Sequence, residues 1–187
     1  MRADARKGSA AIEFAMIAPV FFTLLLGIFE AAILFFSQAA LQTAVTDVGR
    51  LVRTGQSACY SGSGSSCKAM TETQFKQRIC DGVAALLPGC TGKLVLDMKA
   101  YPAGFASVAL SDPLTHDPGG DPAKSTFTGT DRFALGNACD VVIVRAYYQW
   151  PVVTPLLTWF LVNMAGNAHL LAATTAFRNE PYGGAPC

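Results

Sequence analysis

The chain has 187 residues, a formal net charge of +1 and only 14% charged residues, against a hydrophobic fraction of 51%. Its length suits one domain plus an anchor and leaves no room for two substantial domains. Because the basic residues form no stripe that could neutralise a run of phosphates, the composition argues against nucleic acid as a partner.

The segment from Phe14 to Phe36 is apolar and carries a single charge, Glu30. Its 23 residues would form about 34 Å of helix, enough to cross a hydrocarbon core of about 30 Å. A buried helix of a soluble domain would show a polar face, which this segment lacks. Three of the first seven residues are basic, so the positive-inside rule places the N-terminus in the cytoplasm and the rest outside. The apolar run is too long for an ordinary signal peptide, and only a weak cleavage site follows near Ala39.

The helical pattern continues beyond the membrane span, through residues 37–55. Its apolar residues repeat at i, i+4, i+7 and i+11 along one stripe: Leu41, Val45, Val48 and Val52. Gly55 follows as a stop signal. We therefore predict a transmembrane helix over 9–36 that continues as an amphipathic helix over 37–55, which makes one helix of about 40 residues from Phe14 onward. Pro19 removes one backbone donor, so we expect a kink in the first half.

All cysteines follow the apolar segment, and none precedes it. An even number on one side of a membrane favours disulfides in an oxidising compartment. A metal site would need closely spaced pairs such as C-x-x-C, whereas the tightest spacing is eight residues. Six cysteines permit 15 pairings, so the connectivity is open. The pairing we favour follows chain order: Cys59–Cys67, Cys80–Cys90 and Cys139–Cys187.

Residues 56–187 show the pattern of an exported α+β domain. Thr71 and Gln74 form a capping-box signature, and Pro88 ends the helix that they begin. Alternating or β-branched runs predict strands at 93–101, 105–110, 139–150 and 169–178. An apolar helix from Pro155 to Met164 would pack on the sheet or lie at the membrane surface. The overall prediction is a long N-terminal helix packed on a small antiparallel sheet with disulfides.

The segment 111–132 is predicted to be a long polar loop. It contains three Asp-Pro dipeptides, which are turn signals. Its aspartates are better explained by turns than by calcium binding, since their spacing matches no EF-type loop. We predict no metal and no cofactor.

The junction from Arg6 to Phe14 resembles a type IV prepilin cleavage site. A basic leader ends in Gly8, the small residue Ser9 follows, and Glu13 stands five positions on at the start of the apolar helix. The resemblance implies that a prepilin peptidase removes residues 1–8, which makes Ser9 the mature N-terminus.

The longer string from Gly8 to Gln38 is similar to the TadE-like pseudopilins of the tight-adherence (Flp, type IV) pilus machinery. That family shows a G-x-x-x-(I/V)-E-F-A start, a proline in the membrane helix and a glutamate near its far end. The matching residues are Gly8, Ile12, Glu13, Phe14, Ala15, Pro19 and Glu30. The tail 177–182 also resembles the R-N-E-P ending common in the family.

The resemblance implies a minor pseudopilin of the inner membrane, with a cytoplasmic N-terminus and a periplasmic or extracellular domain. The partners it implies are a prepilin peptidase, other pilin or pseudopilin subunits, the inner-membrane assembly platform and the lipid bilayer. An adhesive minor subunit that binds through the 57–70 or 111–132 loops is a second hypothesis. A plain signal-anchored exported protein, which would keep its leader, is the third.

The two glutamates of the helix have different expected roles. A carboxylate at the edge of the hydrocarbon is costly unless it is paired. Cleavage after Gly8 would create an α-amino group on Ser9 that could meet Glu13 of a neighbouring subunit; the alternative is a Glu13 that rests among headgroups. Glu30 lies about 24 Å along the helix from Phe14, and both snorkelling and a packing contact remain open for it.

The sequence shows no motif of an enzyme. His116 and His169 belong to no nucleophile motif, metal spacing or phosphate-binding loop. We therefore predict a structural protein.

Overall fold

A computed structural model describes residues 4–63, 66–154, 157–182 and 187 of the chain. Helix α1 spans Asp4–Arg53 without a break, 50 residues or about 75 Å. It begins before the predicted start at residue 9, because it also includes residues of the basic leader. Within it, the stretch Ala10–Arg53 contains a window long and apolar enough to cross a membrane, and only 17% of that window is buried.

The second half of α1 packs on the domain as the apolar stripe predicts. Leu41, Val45, Val48 and Val52 are at most 6% exposed. The helix ends at Arg53, and Gly55 follows at φ +74°, where a side chain would be strained. The predicted stripe and its stop are confirmed.

The domain is built on a four-stranded sheet with the order β4-β1-β5-β6. These strands are β1 (Val95–Tyr101), β4 (Arg132–Phe133), β5 (Val141–Pro151) and β6 (Ala168–Arg178). β5 is antiparallel to both β1 and β6, and only the two-residue β4 is parallel to its neighbour. The sheet is therefore antiparallel except at one edge. Strands β2 (Leu114–Thr115) and β3 (Thr126–Phe127) form a separate antiparallel pair.

One face of the sheet forms the core with α1 and with helix α2 (Glu72–Asp81). Thr71 and Gln74 form the predicted capping box at the start of α2. Lys76 on α2 pairs with Glu72 at 2.9 Å and with Asp131 at 2.7 Å. Helix α2 ends at Asp81 with Gly82 as its C-cap, earlier than the predicted Pro88, and the chain reaches the one-turn helix α3 (Cys90–Lys93) through turns.

The other face of the sheet is also covered, which the alternation in β1 did not predict. Asp97 points away from α1, on the face that a half-buried strand usually leaves to solvent, yet it is only 7% exposed. It forms an ion pair with Arg145, which is also 7% exposed and which donates a second hydrogen bond to the Ser111 carbonyl at 2.7 Å. Segment 111–132 thus packs over the sheet, and Phe127 of β3 meets Tyr147 edge to face.

Two further predictions about local structure are wrong. The strand expected at 105–110 is a 3₁₀ turn at Phe105–Ser107, because Gly104 at φ +82° turns the chain away from β1. The helix expected from Pro155 to Met164 is a single turn, α4 (Thr158–Leu161); Pro155 lies outside the described residues. The helix cannot continue, since the N–H groups of Asn163 and Met164 donate to the carbonyl of Ala168 in the hairpin connection.

Candidate assembly surface

The first half of α1 presents a broad apolar surface. Large side chains between Ile12 and Phe36 are exposed, with values up to 73% at Met16. An apolar surface of this length is unfavourable in water and favourable in lipid or against other apolar helices. The long apolar helix is therefore suited to anchor the chain in a membrane, and its surface is suited to packing against other apolar helices.

The predicted cleavage and assembly residues lie at the start of this surface. Gly8 and Ser9 belong to the regular backbone of α1. Glu13 and Phe14 are exposed on its first described turns. Ser9 and Glu13 are four residues apart, so about 6 Å of helix rise separates them. Pro19 lies inside the unbroken helix, where its carbonyl accepts a hydrogen bond from the Thr23 hydroxyl at 2.7 Å; the kink remains a prediction.

Glu30 makes a packing contact with the exported domain. It is 9% exposed, and its carboxylate accepts hydrogen bonds from the N–H of Val153 at 2.5 Å and of Thr154 at 2.9 Å. Both donors follow directly after β5. The structure therefore favours the packing alternative over snorkelling, and it assigns Glu30 to the joint between the helix and the hairpin.

Two glutamines of α1 cover the free edge of the sheet, which the sequence did not predict. Gln38 donates to the Ala172 carbonyl of β6 at 2.7 Å. Gln42 donates to the Thr174 carbonyl at 2.9 Å and accepts from the Thr174 N–H at 3.1 Å. β6 is an outer strand, and unpaired edge groups are a template for aggregation. The only signal was the i, i+4 spacing of two amides beside the apolar stripe.

The tail that resembles the R-N-E-P ending holds the end of α1 against the sheet. Glu180 donates its N–H to the Arg53 carbonyl at 2.8 Å, and its carboxylate lies 3.2 Å from the Arg53 guanidinium. Asn179 is 2% exposed, and its amide donates to the carbonyls of Leu135 at 3.1 Å and Asn137 at 2.8 Å. These contacts give the motif a structural role: the Asn179 amide binds backbone carbonyls, and Glu180 binds Arg53.

All six cysteines are in disulfides, and the favoured chain-order pairing is confirmed. The Cα–Cα distances are 5.2, 5.6 and 5.3 Å, which are ordinary values. The bridge Cys139–Cys187 ties the tail to a position two residues before β5, where Arg178 also donates to the Cys139 carbonyl at 2.9 Å. Disulfides of this kind suit an exported domain.

The two histidines have structural partners. His116 is exposed and lies 3.0 Å from Asp112. The pKa of Asp112 is lowered by the hydrogen bond from the Leu114 N–H and by His116. The Nδ1 atom of His169 lies 2.5 Å from the carbonyl of Leu161 in the hairpin connection, where it donates a hydrogen bond. Among the described residues, no three His, Cys, Asp or Glu side chains form a group that could hold a metal ion.

Comparison with known proteins finds similarity over nearly the whole of α1. Residues 8–50 match the model of the family described as TadE-like protein. No curated protein and no solved structure matches the chain. The matched segment begins at the predicted leader glycine and includes the exposed apolar surface, Glu13, Glu30 and both edge-binding glutamines. The resemblance drawn from the leader junction and the membrane helix is thereby confirmed: residues 8–50 are similar to the TadE-like family.

Proposed function

We propose that the chain is a minor pseudopilin of a tight-adherence pilus, which takes part in pilus assembly at the inner membrane. The observation that carries the proposal is the exposed apolar half of α1, from Ile12 to Phe36, which lies within the TadE-like match over residues 8–50. In this proposal a prepilin peptidase removes residues 1–8 at the cytoplasmic face, and the domain lies on the opposite side of the membrane.

The same apolar surface serves two successive environments. In the membrane it contacts acyl chains; in an assembly it contacts the equivalent helices of neighbouring subunits. Moving this surface from lipid to contact with other helices gains no hydrophobic free energy, because lipid tails are as apolar as leucine side chains. A polar contact must therefore favour the assembled state and set its register.

Glu13 supplies that contact in the proposed mechanism. Cleavage after Gly8 creates an ammonium group on Ser9, which a neighbouring helix brings next to Glu13. Each charge is costly at the edge of the hydrocarbon when it is alone, and the pair removes part of that cost. The proposed role is structural, and the inner-membrane assembly platform and other pilin subunits are the proposed partners.

The variant Glu13→Val tests this mechanism. The helix becomes more apolar, so insertion is expected to persist, and cleavage at the Gly8 junction is expected to persist as well. Pilus formation should be lost, as counted by electron microscopy of cells that contain mature protein in the inner membrane. Asp47→Asn is the matched control, because Asp47 is an exposed carboxylate on the domain half of the same helix. Normal piliation in the Glu13→Val strain would contradict the proposed pairing.

A further inference from the structure

The connection between β5 and β6 reaches down beside the membrane-spanning part of α1. β6 runs along the helix, and its Ala172 carbonyl accepts a hydrogen bond from the Gln38 amide. Beyond the end of β5, the N–H of Val153 donates a hydrogen bond to the carboxylate of Glu30. Farther on, Leu157 packs against Gly27 so closely that a Cβ on that glycine would lie 2.7 Å from a Leu157 methyl carbon. The hairpin connection thus extends beyond the part of α1 that packs on the domain and lies beside its exposed apolar part.

The position of these contacts along the helix gives their depth. Gly27 is 13 residues from Phe14, or about 20 Å, and Glu30 is about 24 Å from Phe14. A hydrocarbon core of about 30 Å that starts near Phe14 would include both residues. The end of the hairpin connection would then lie within the outer leaflet.

The side chains at this end are those that lipid favours. We call Val153, Leu157, Trp159, Phe160 and Leu161 the apolar tip. Val153 is 79% exposed, Trp159 82% and Phe160 70%. No Asp, Glu, Lys or Arg occurs between Arg145 and Arg178, a stretch that contains the whole hairpin connection. Trp in particular is enriched at membrane interfaces.

The backbone next to the apolar tip is arranged for an environment without water. An unpaired N–H is strongly unfavourable in hydrocarbon, so backbone at that depth must find partners within the protein. The N–H groups of Val153 and Thr154 bind the carboxylate of Glu30. Three further N–H groups bind carbonyls of the same connection: Val152 to Asn167 at 2.9 Å, Leu157 to Thr154 at 3.1 Å and Val162 to Thr158 at 3.0 Å. The same contacts satisfy Glu30, which would otherwise be a costly carboxylate within the bilayer.

We propose that the apolar tip is a second membrane contact, which inserts Trp159 and Phe160 among the acyl chains of the outer leaflet beside α1. The insertion is shallow, because Asn163 at the base of the tip shares a depression with Asp117 and Asp121, which belong among headgroups and water. With two contacts on the bilayer, the domain is held in one orientation. This inference rests on α1 crossing a membrane and is independent of pilus assembly and of leader cleavage.

Tryptophan fluorescence of the full chain in phosphatidylcholine vesicles tests the proposal. The sequence has two tryptophans, and Trp150→Phe leaves Trp159 as the reporter. The matched control is Phe105→Trp in a background that carries Trp150→Phe and Trp159→Phe. Phe105 is 59% exposed and follows the end of β1 that pairs with Val141, at the opposite end of the sheet from the apolar tip. Both chains are first shown to contain three disulfides by intact mass.

Lipid brominated on its acyl chains should quench Trp159 several-fold more strongly than it quenches the F105W reporter, and aqueous acrylamide should show the reverse order. Equal quenching of the two reporters by brominated lipid, or free access of acrylamide to Trp159, would overturn the proposal and leave the tip as a surface for a protein neighbour. If Trp150→Phe does not fold, comparing the native chain with Trp159→Phe isolates the same signal, because both retain Trp150.

Discussion

The buried pair of Asp97 and Arg145 offers the sharpest test of how the domain is packed. Each residue is 7% exposed, and their side chains form a direct ion pair between β1 and β5. Removing one partner of such a pair leaves an uncompensated buried charge and typically costs about 3–5 kcal/mol. We expect Asp97→Asn to lower the free energy of unfolding by that amount, a large part of the 5–15 kcal/mol of an ordinary domain.

The pair itself should contribute little net stability. Among the described residues the second carboxylate oxygen of Asp97 has no hydrogen-bond partner, so its desolvation is only partly offset. Replacing both residues, as Asp97→Leu with Arg145→Met, should therefore restore stability to within about 1 kcal/mol of the native chain. Either single change should be far worse than the double change.

Denaturant unfolding of the full chain in detergent, with the disulfides intact and near-UV circular dichroism as the signal, measures these differences. Glu180→Gln is the matched control, because its ion pair with Arg53 has exposures of 48% and 55% and should contribute less than about 1 kcal/mol. A loss below about 1 kcal/mol for Asp97→Asn would show that the outer face of the sheet is open to water and would refute the packing described for segment 111–132.

Three further changes test other contacts. Glu30→Ala leaves two backbone N–H groups without an acceptor. In detergent, chymotrypsin should therefore cut at Trp159 faster in this variant than in an Asp47→Ala control. Equal rates would contradict the role of Glu30 in holding the hairpin connection against the helix. Asn179→Ala removes two hydrogen bonds from a buried amide to the carbonyls of Leu135 and Asn137 and should cost about 2 kcal/mol in denaturant unfolding, whereas no change would show that the tail is not docked. Burial alone would lower the pKa of Lys76, but its hydrogen bonds to two carboxylates raise the pKa overall. The stabilisation of the folded state by charged Lys76 is thus complete below the unfolded-state pKa of about 10.4 and is lost as the pH rises through the higher folded-state pKa. Lys76→Met should therefore flatten the alkaline part of the curve of unfolding free energy against pH.

The spacing of apolar residues predicted those elements whose own sequence determines which of their residues are buried. The stripe from Leu41 to Val52 repeats at helical spacing and is buried, and the β-branched run of β5 forms the central strand. The capping box at Thr71 is a local signal, and the structure contains it. Chain-order pairing gave the disulfides: two bridges close short loops of 8 and 10 residues, and the remaining two cysteines, 48 residues apart, pair with each other.

Long-range contacts decided what periodicity could not. Asp97 looked exposed because alternation cannot reveal that segment 111–132 folds over its side of the sheet. The single-turn α4 replaced a longer predicted helix because its backbone is bound to the hairpin connection. Glu30 could not be assigned from its position alone, since its partners lie more than 120 residues away in the chain. The edge-binding role of Gln38 likewise depends on β6, which the helix sequence does not contain.

The mature N-terminus of the membrane-extracted protein tests the central claim most directly. The account predicts an intact mass that corresponds to a chain starting at Ser9, with three disulfides and no residue of the leader. The matched control is Gly8→Leu, which should block processing and leave the leader attached while the protein still inserts in the membrane. A native protein that retains Met1, or one whose chain starts near Ala40, would contradict the pseudopilin account.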